Sequence, residues 1–391
     1  MYPDLSYLVH ALTGIEPDNG LSIVKTFGLM LIMAFLVSAY FLKLELKRKE
    51  KDGDLKAFPE TIVEGKAATP VEIGTNAILG FILGFKLVYV VGHFQEFQAD
   101  TAGVLLSSLG SIPAGIVGAA VLGFWKYRDS KKTQLAKPIV KKIMVSPYQR
   151  VGDITILAAI SGIVGAKLVA MFESVEHIKA FFADPIGQLL SGSGLAIYGG
   201  LIFGFTVVFI YIKKKGMAPL HTMDVFAPAI MVGYGVGRIG CQLSGDGDWG
   251  IVNTMPPPSW WFLPDSLWAS HYPHNVLNEG ERIASCTWQY CSQLSPPVFP
   301  TPIYETVMAF IIVGILWALR KQIRIPGMLF FIYVILTAIE RFFIEKIRVN
   351  PDIEIMGFQA SQAEYISVIL FVVGIAGLFW TYRHKSHSNP S

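Results

Sequence analysis

Charge is what this chain has least of: 16% of its 391 residues are Asp, Glu, Lys or Arg, against 52% hydrophobic. The charges gather in blocks between long apolar runs, a distribution that excludes a soluble multi-domain protein. Cysteine is scarcer still, with three residues, too few for a disulfide framework. The apolar runs do not alternate with polar residues over segments of about ten, which excludes a transmembrane barrel. The first twenty residues hold Asp4, Glu16 and Asp18 in place of a basic leader, so the first apolar run is expected to persist as an anchor.

What is present predicts an all-α polytopic membrane protein. Nine runs are long enough for the hydrocarbon core: residues 21–42, 73–91, 102–125, 154–171, 195–212, 225–243, 303–319, 328–344 and 365–380. Lysine and arginine concentrate in alternate loops, within 43–66, 126–150, 213–215, 320–324 and 383–385, leaving Lys179 and Arg282 as isolated exceptions. The positive-inside rule then sets the N-terminus outside and the C-terminus in the cytoplasm. On this reading the net charge of +3 reports topology, and no nucleic-acid partner is expected. Cys286 and Cys291 fall in an outer loop, where they either close a small ring or stay as two thiols.

An internal repeat organises the first half. Gly80-Phe-Ile-Leu-Gly-Phe-Lys-Leu-Val88 resembles Ser161-Gly-Ile-Val-Gly-Ala-Lys-Leu-Val169, so that Gly84 and Lys86 recur as Gly165 and Lys167. A duplicated two-helix unit explains this, as does the general likeness of glycine-rich membrane helices. The lysines suit snorkelling or helix pairing. The expected division is residues 1–150, holding the first helix, the additional hairpin and basic loops, and residues 151–391, a core with an outer loop at 245–302.

The most informative stretch is Val236-Gly-Arg-Ile-Gly-Cys-Gln-Leu-Ser-Gly-Asp-Gly-Asp-Trp-Gly250. It carries an arginine to the end of an apolar helix and then breaks into glycines and carboxylates. A guanidinium at membrane depth costs several kcal/mol unless it is paired or faces a polar cavity, so Arg238 marks a candidate site. Asp246 and Asp248 are its nearest candidate partners. Four further segments stand beside it: Thr26-Phe-Gly-Leu-Met30, Ser193 to Gly204 with Tyr198-Gly199-Gly200, Phe299-Pro-Thr-Pro-Ile-Tyr-Glu305, and Ile339 to Asp352. In the last, Arg341 and Glu345 share a helix face and Arg348 lies a turn further on. That group equally suits an interfacial charge cluster, and the tryptophans of the outer loop suit an aromatic belt.

Together these segments resemble the prolipoprotein diacylglyceryl transferase family. The family's Gly-Arg-x-Gly motif is similar to Gly237-Arg238-Ile239-Gly240, and its His-Gly-Gly to Tyr198-Gly199-Gly200. Its His-Pro-x-Gln-x-Tyr-Glu segment falls on Phe299 to Glu305, and its Arg-x-x-x-Glu-x-x-Arg on Arg341, Glu345 and Arg348. The departures are a tyrosine for the motif histidine, Cys241 and Ser244 for two asparagines, one extra residue in the Gly-Asp-Gly-Asp run, Thr337 and Phe27 for two tyrosines, and two helices beyond the usual seven.

The resemblance implies transfer of a diacylglyceryl group from phosphatidylglycerol to the lipobox cysteine of a prolipoprotein signal peptide, in the bilayer of the bacterial inner membrane. The nucleophile belongs to the substrate, so no cofactor and no metal is implied. Arg341, Tyr198 and Glu345 are then the expected catalytic residues. Arg238, Gly237, Gly240, Gly199 and Gly200 would bind the phosphatidylglycerol phosphate, with Asp246, Asp248, Tyr304 and Arg348 in support. Arginine suits a phosphodiester because its planar fork binds two oxygens and keeps its charge. A neutral tyrosine is a poor base near pH 7, which leaves His271, His274, Asp246 or Asp248 as further acceptors for the thiol proton. A lipid-binding relative that has lost its chemistry, or a transporter, would carry the same composition.

Overall fold

The computed structural model describes residues 1–99, 101–135, 137–172, 175–183, 196–350, 352–355 and 357–385. Its helices in chain order are α1 (Leu5–Thr13), α2 (Thr26–Lys51), α3 (Pro70–Gly92), α4 (Phe94–Ala99), α5 (Thr101–Leu106), α6 (Ile112–Thr133), α7 (Val151–Met171), α8 (Val175–Ala183), α9 (Ile197–Lys214), α10 (Pro219–Ser244), α11 (Thr301–Leu319), α12 (Met328–Glu345) and α13 (Gln362–Lys385). Eight of the nine predicted apolar runs fall largely on one long helix each. Among the described residues five segments, α2, α3, 147–171, α11 and 362–384, are long and apolar enough to cross a membrane by length and composition. Charged residues interrupt α10 and α12 at Asp224, Arg238, Glu340, Arg341 and Glu345, and three of these five turn out to build the site.

The third run differs from expectation. It is predicted as one helix over 102–125, but the chain breaks after Leu106 and restarts at Ile112. Gly110 precedes the restart, the Ser111 side chain accepts from the Ala114 amide, and Pro113 sits in the first turn, where a missing N–H does no harm. The chain divides into two compact units, one of residues 1–56, 147–152 and 217–391, the other of 57–146 and 153–216.

In the second unit the helices meet through glycine. A Cβ at Gly84 would stand 3.0 Å from the Ala114 carbonyl carbon, and one at Gly199 would stand 2.6 Å from Val169 Cβ and press on the Gly165 carbonyl. Gly118 of the first hairpin lies the same number of positions before Gly199 as Gly84 does before Gly165, so both hairpins use small residues at matching places. Lys86 donates to the carbonyls of Val104 (2.8 Å), Leu109 (3.0 Å) and Ser107, satisfying the backbone where α5 ends. The stretch that would serve Lys167 in this way, 184–195, lies outside the described residues. An antiparallel pair, β1 (Phe58–Glu64) with β2 (Ile139–Val145), completes this unit.

The first unit is built on α2, α10, α11 and α12. Ala227 and Met231 of α10, Ala309, Ile312 and Leu316 of α11 and Leu329 of α12 form a buried core. Buried Asp224 accepts from the amides of Gly327 (2.9 Å) and Phe330 (3.0 Å), satisfying donors that the start of α12 leaves open and fixing α12 against α10. Two more short antiparallel pairs lie here, β3 (Glu281–Arg282) with β4 (Ser292–Gln293) and β5 (Asp352–Ile355) with β6 (Phe358–Ser361). Cys286 and Cys291 form a disulfide, which settles the open choice in favour of the ring.

A candidate active site at the helix ends

Local chemistry brings the site together. Helix α10 stops at Gly245, whose φ of 62° is the left-handed conformation that glycine adopts without a Cβ clash, and Gly247 repeats the device at 96°. The chain then lies between the start of α11 and the end of α12. Gly250 donates to the Phe299 carbonyl (2.8 Å), Ile251 to the Ile347 carbonyl (2.9 Å), and the Thr301 hydroxyl to the Asp248 carbonyl (2.6 Å). A Cβ at Gly250 would approach Phe299 Cβ and Thr301 Cγ2 to 2.9 Å, so glycine is what permits the fit.

Three arginines and three carboxylates meet there. Glu305, on the first turns of α11, is 0% exposed and its Oε1 lies 3.3 Å from a guanidinium nitrogen of each of Arg238, Arg341 and Arg348. Its Oε2 is 2.7 Å from Arg238 Nε, an ion-pair approach at an angle unsuited to a hydrogen bond. Asp248 joins Arg238 and, at 2.6 Å, Arg348. Glu345 takes Arg341 at 2.9 Å and Asn350 Nδ2 at 2.5 Å. Each of these anions has cations on it, which offsets the desolvation that an isolated buried charge would suffer. Arg341 is the most open of the three guanidiniums, with 25% of its side chain exposed against 9% for Arg238 and 10% for Arg348.

Burial opposes ionisation of Asp248, but the Arg238 and Arg348 charges outweigh it and hold the carboxyl at about 2. Asp246, two residues away, moves the other way, because burial and then the Asp248 charge raise it. A carboxyl depressed in the folded state stabilises the fold fully above its unfolded pKa, near 4, and loses that contribution as pH falls toward 2. The melting temperature of Asp248→Asn should therefore lie below that of the unsubstituted protein by a constant margin from pH 5 to 8, and the margin should close below pH 4. Thermal unfolding of both proteins across that range measures it, and a margin that widens on acidification contradicts the pairing.

The structure thus brings together Arg238, Asp248, Arg341, Glu345 and Arg348 of the expected residues. Asp246 stands at their edge, accepting from the Asp248 amide at 3.4 Å. Cys241, Asp246 and Asp248 bring potential ligand atoms within 4.8 Å of one another, but the Asp248 oxygens already accept from two guanidiniums, so the trio does not fit a cation. Gly240 lets α10 approach Met30 of α2, where a Cβ would come to 2.9 Å, while a Cβ at Gly237 would meet nothing within 4 Å. The Tyr304 hydroxyl donates to the Leu267 carbonyl (2.8 Å), tying the outer loop to α11. His271 and His274 make ring-nitrogen hydrogen bonds to the carbonyls of Leu294 (2.8 Å) and Tyr290 (2.7 Å), inside that loop. Tyr198, Gly199 and Gly200 belong to the other unit, in the first turn of α9. Gly199 and Gly200 are placed against α7, and the Tyr198 side chain lies outside the described residues. Glu305, which the sequence reading quoted as the end of the Phe299–Glu305 segment but gave no role, is the carboxylate at the centre of this cluster; its signal was an acidic residue among the first residues of a helix that is otherwise apolar.

Apolar helices that carry a buried arginine–carboxylate cluster at their ends define a helical membrane protein. The family described as prolipoprotein diacylglyceryl transferase matches residues 114–380, and the chain belongs to that family. Proteins named phosphatidylglycerol–prolipoprotein diacylglyceryl transferase resemble it at low identity. That of Dehalococcoides mccartyi is 28% identical over 245 residues, 61% of this chain and 78% of the relative. Those of Corynebacterium diphtheriae (27% over 237 residues, 60% and 78%) and Staphylococcus carnosus (29% over 238 residues, 61% and 76%) are similar in extent.

Proposed function

We propose that the chain transfers the diacylglyceryl group of phosphatidylglycerol to the lipobox cysteine of a prolipoprotein signal peptide, working in the bacterial inner membrane. The observation that carries this reading is the convergence of Arg238, Arg341 and Arg348 on Glu305. A guanidinium has five N–H donors, and Glu305 and Glu345 engage only two nitrogens of Arg341, so donors remain for a phosphodiester. Arg341 meets the phosphate, Arg238 adds positive potential behind it, and Arg348 holds the Asp248 loop in register. The family names on the relatives support the same chemistry.

In this reaction the cysteine sulfur bonds to the terminal glyceryl carbon of the diacylglyceryl group as the bond from that carbon to the phosphate oxygen breaks. The electron pair leaves with glycerol phosphate, and the thiol gives up its proton. Fixed guanidiniums stabilise the charge that gathers on the departing phosphate without having to reorganise, the term that dominates such catalysis. The positive field also favours a thiolate over a thiol whose ordinary pKa is about 8.5. On the expected topology of nine spans with the N-terminus outside, the α10–α11 loop and its disulfide lie on the outer face, where disulfides persist. Purified protein supplied with phosphatidylglycerol and a one-cysteine lipobox peptide should add a diacylglyceryl mass to the peptide, and Arg238→Ala should remove most of that gain. Folded protein that binds the lipid but yields no mass gain would mark a relative without this chemistry.

A further inference from the structure

The cluster leaves one carboxylate over. Glu340 of α12 is 6% exposed, and among the described residues no lysine or arginine forms an ion pair with it. Its hydrogen-bond partner is the Tyr234 hydroxyl of α10, at 3.4 Å. The Tyr234 ring in turn carries the Arg238 guanidinium at 5.4 Å from its centroid. Three guanidiniums are already matched by Glu305, Asp248 and Glu345, so an ionised Glu340 is the uncompensated charge of a buried site. Each of the other three carboxylates has at least one guanidinium in an ion pair with it. Glu340 is the one whose protonation state the site leaves free to change.

We propose that Glu340 takes the proton of the attacking thiol. The inference rests on the transferase reading above and supplies the proton acceptor that Tyr198, in place of a histidine, does not. Tyr234 donates to Glu340 and carries Arg238 on its ring, so the carboxylate joins the arginine cluster through one side chain, and a thiol brought to a phosphate in that cluster comes within reach of it. The proton passes from sulfur to the Glu340 carboxylate as the sulfur–carbon bond forms, and then to water or the departing phosphate monoester. Tyr234 holds the carboxylate from α10. The charged groups that face it are Arg238 on α10, Glu305 on α11 and Arg341 on its own helix, so loss of its proton returns a negative charge beside two guanidiniums and one carboxylate.

A pair of lipobox peptides, one with cysteine and one with selenocysteine, tests this on the full chain in phosphatidylglycerol nanodiscs. A selenol is already ionised at neutral pH and needs no base. Glu340→Gln should lower transfer to the thiol about 100-fold at pH 7, and its rate should rise about tenfold per pH unit toward the thiol pKa, while the unsubstituted protein stays flat. With the selenol the two proteins should agree within about threefold, and Glu340→Asp should keep the flat profile. Equal losses with both nucleophiles make Glu340 structural and overturn the inference. So does a nucleophile-dependent loss in Asp246→Asn that Glu340→Gln does not share. Absence of transfer by the unsubstituted protein to either peptide overturns the transferase reading itself, and the inference with it; normal transfer by that protein and by Glu340→Gln alike overturns the inference alone.

Discussion

Glu305→Ala is expected to destabilise the protein by about 3–5 kcal/mol and to abolish transfer. The carboxylate is fully buried and stands at 3.3 Å from each of three guanidiniums. Its removal leaves three cations facing two anions, Asp248 and Glu345, around a position that is itself fully buried. A buried pair broken on one side costs far more than the pair contributes, because the remaining charge has lost both its solvent and its partner. Glu305→Gln keeps the volume and one acceptor oxygen, so it should fall between the two. Because the residues share one network, the effects will not add: Arg238→Met combined with Glu305→Ala should be milder than the sum of the single losses. Thermal unfolding in detergent, followed by intrinsic fluorescence, distinguishes these cases. A Glu305→Ala protein that melts with the unsubstituted one would show that the arginines are not held as described.

The long helices could be read from the sequence because they are apolar runs with basic residues in alternate loops between them, and length with composition decides such elements locally. The break between α5 and α6 was passed over although Ser107-Ser-Leu-Gly-Ser111 marks it: apolar residues on both sides carried one span across that short polar stretch, and Pro113 sits where a helix start accepts proline. Arg238 announced itself through its desolvation, and Arg341 with Glu345 through helical spacing. Their common partner did not. Glu305 lies 67 residues from Arg238, 36 from Arg341 and 43 from Arg348, and no local period links positions that only the packing of α10, α11 and α12 brings together. Gly199 shows the opposite case. Glycine beside a tyrosine in a motif reads as room for a ligand or for a neighbouring helix, and at Gly199 the neighbour is α7.

Arg341→Ala should show the larger functional effect with the smaller structural one. Its side chain is 25% exposed, so removing it leaves Glu305 with Arg238 and Arg348, and Glu345 with Asn350. The network stays nearly complete, and the melting temperature should drop by less than in Glu305→Ala. Transfer should nevertheless fall about 100- to 1,000-fold, the loss seen when a fixed donor to a developing anion is removed. The fall should appear in kcat more than in KM, because the contact strengthens as charge builds on the leaving phosphate. Arg341→Lys keeps the charge but replaces a planar fork by a point charge on a flexible stem, so it should recover only part of the rate. Steady-state transfer with a short-chain phosphatidylglycerol gives both constants for the three proteins. If Lys restores full activity, the requirement is for charge alone and the bidentate contact is not used. If Ala raises KM with kcat unchanged, Arg341 binds ground state and transition state alike, and the stabilisation of the departing phosphate must come from Arg238 or Arg348, which the same measurement on their lysine variants would assign.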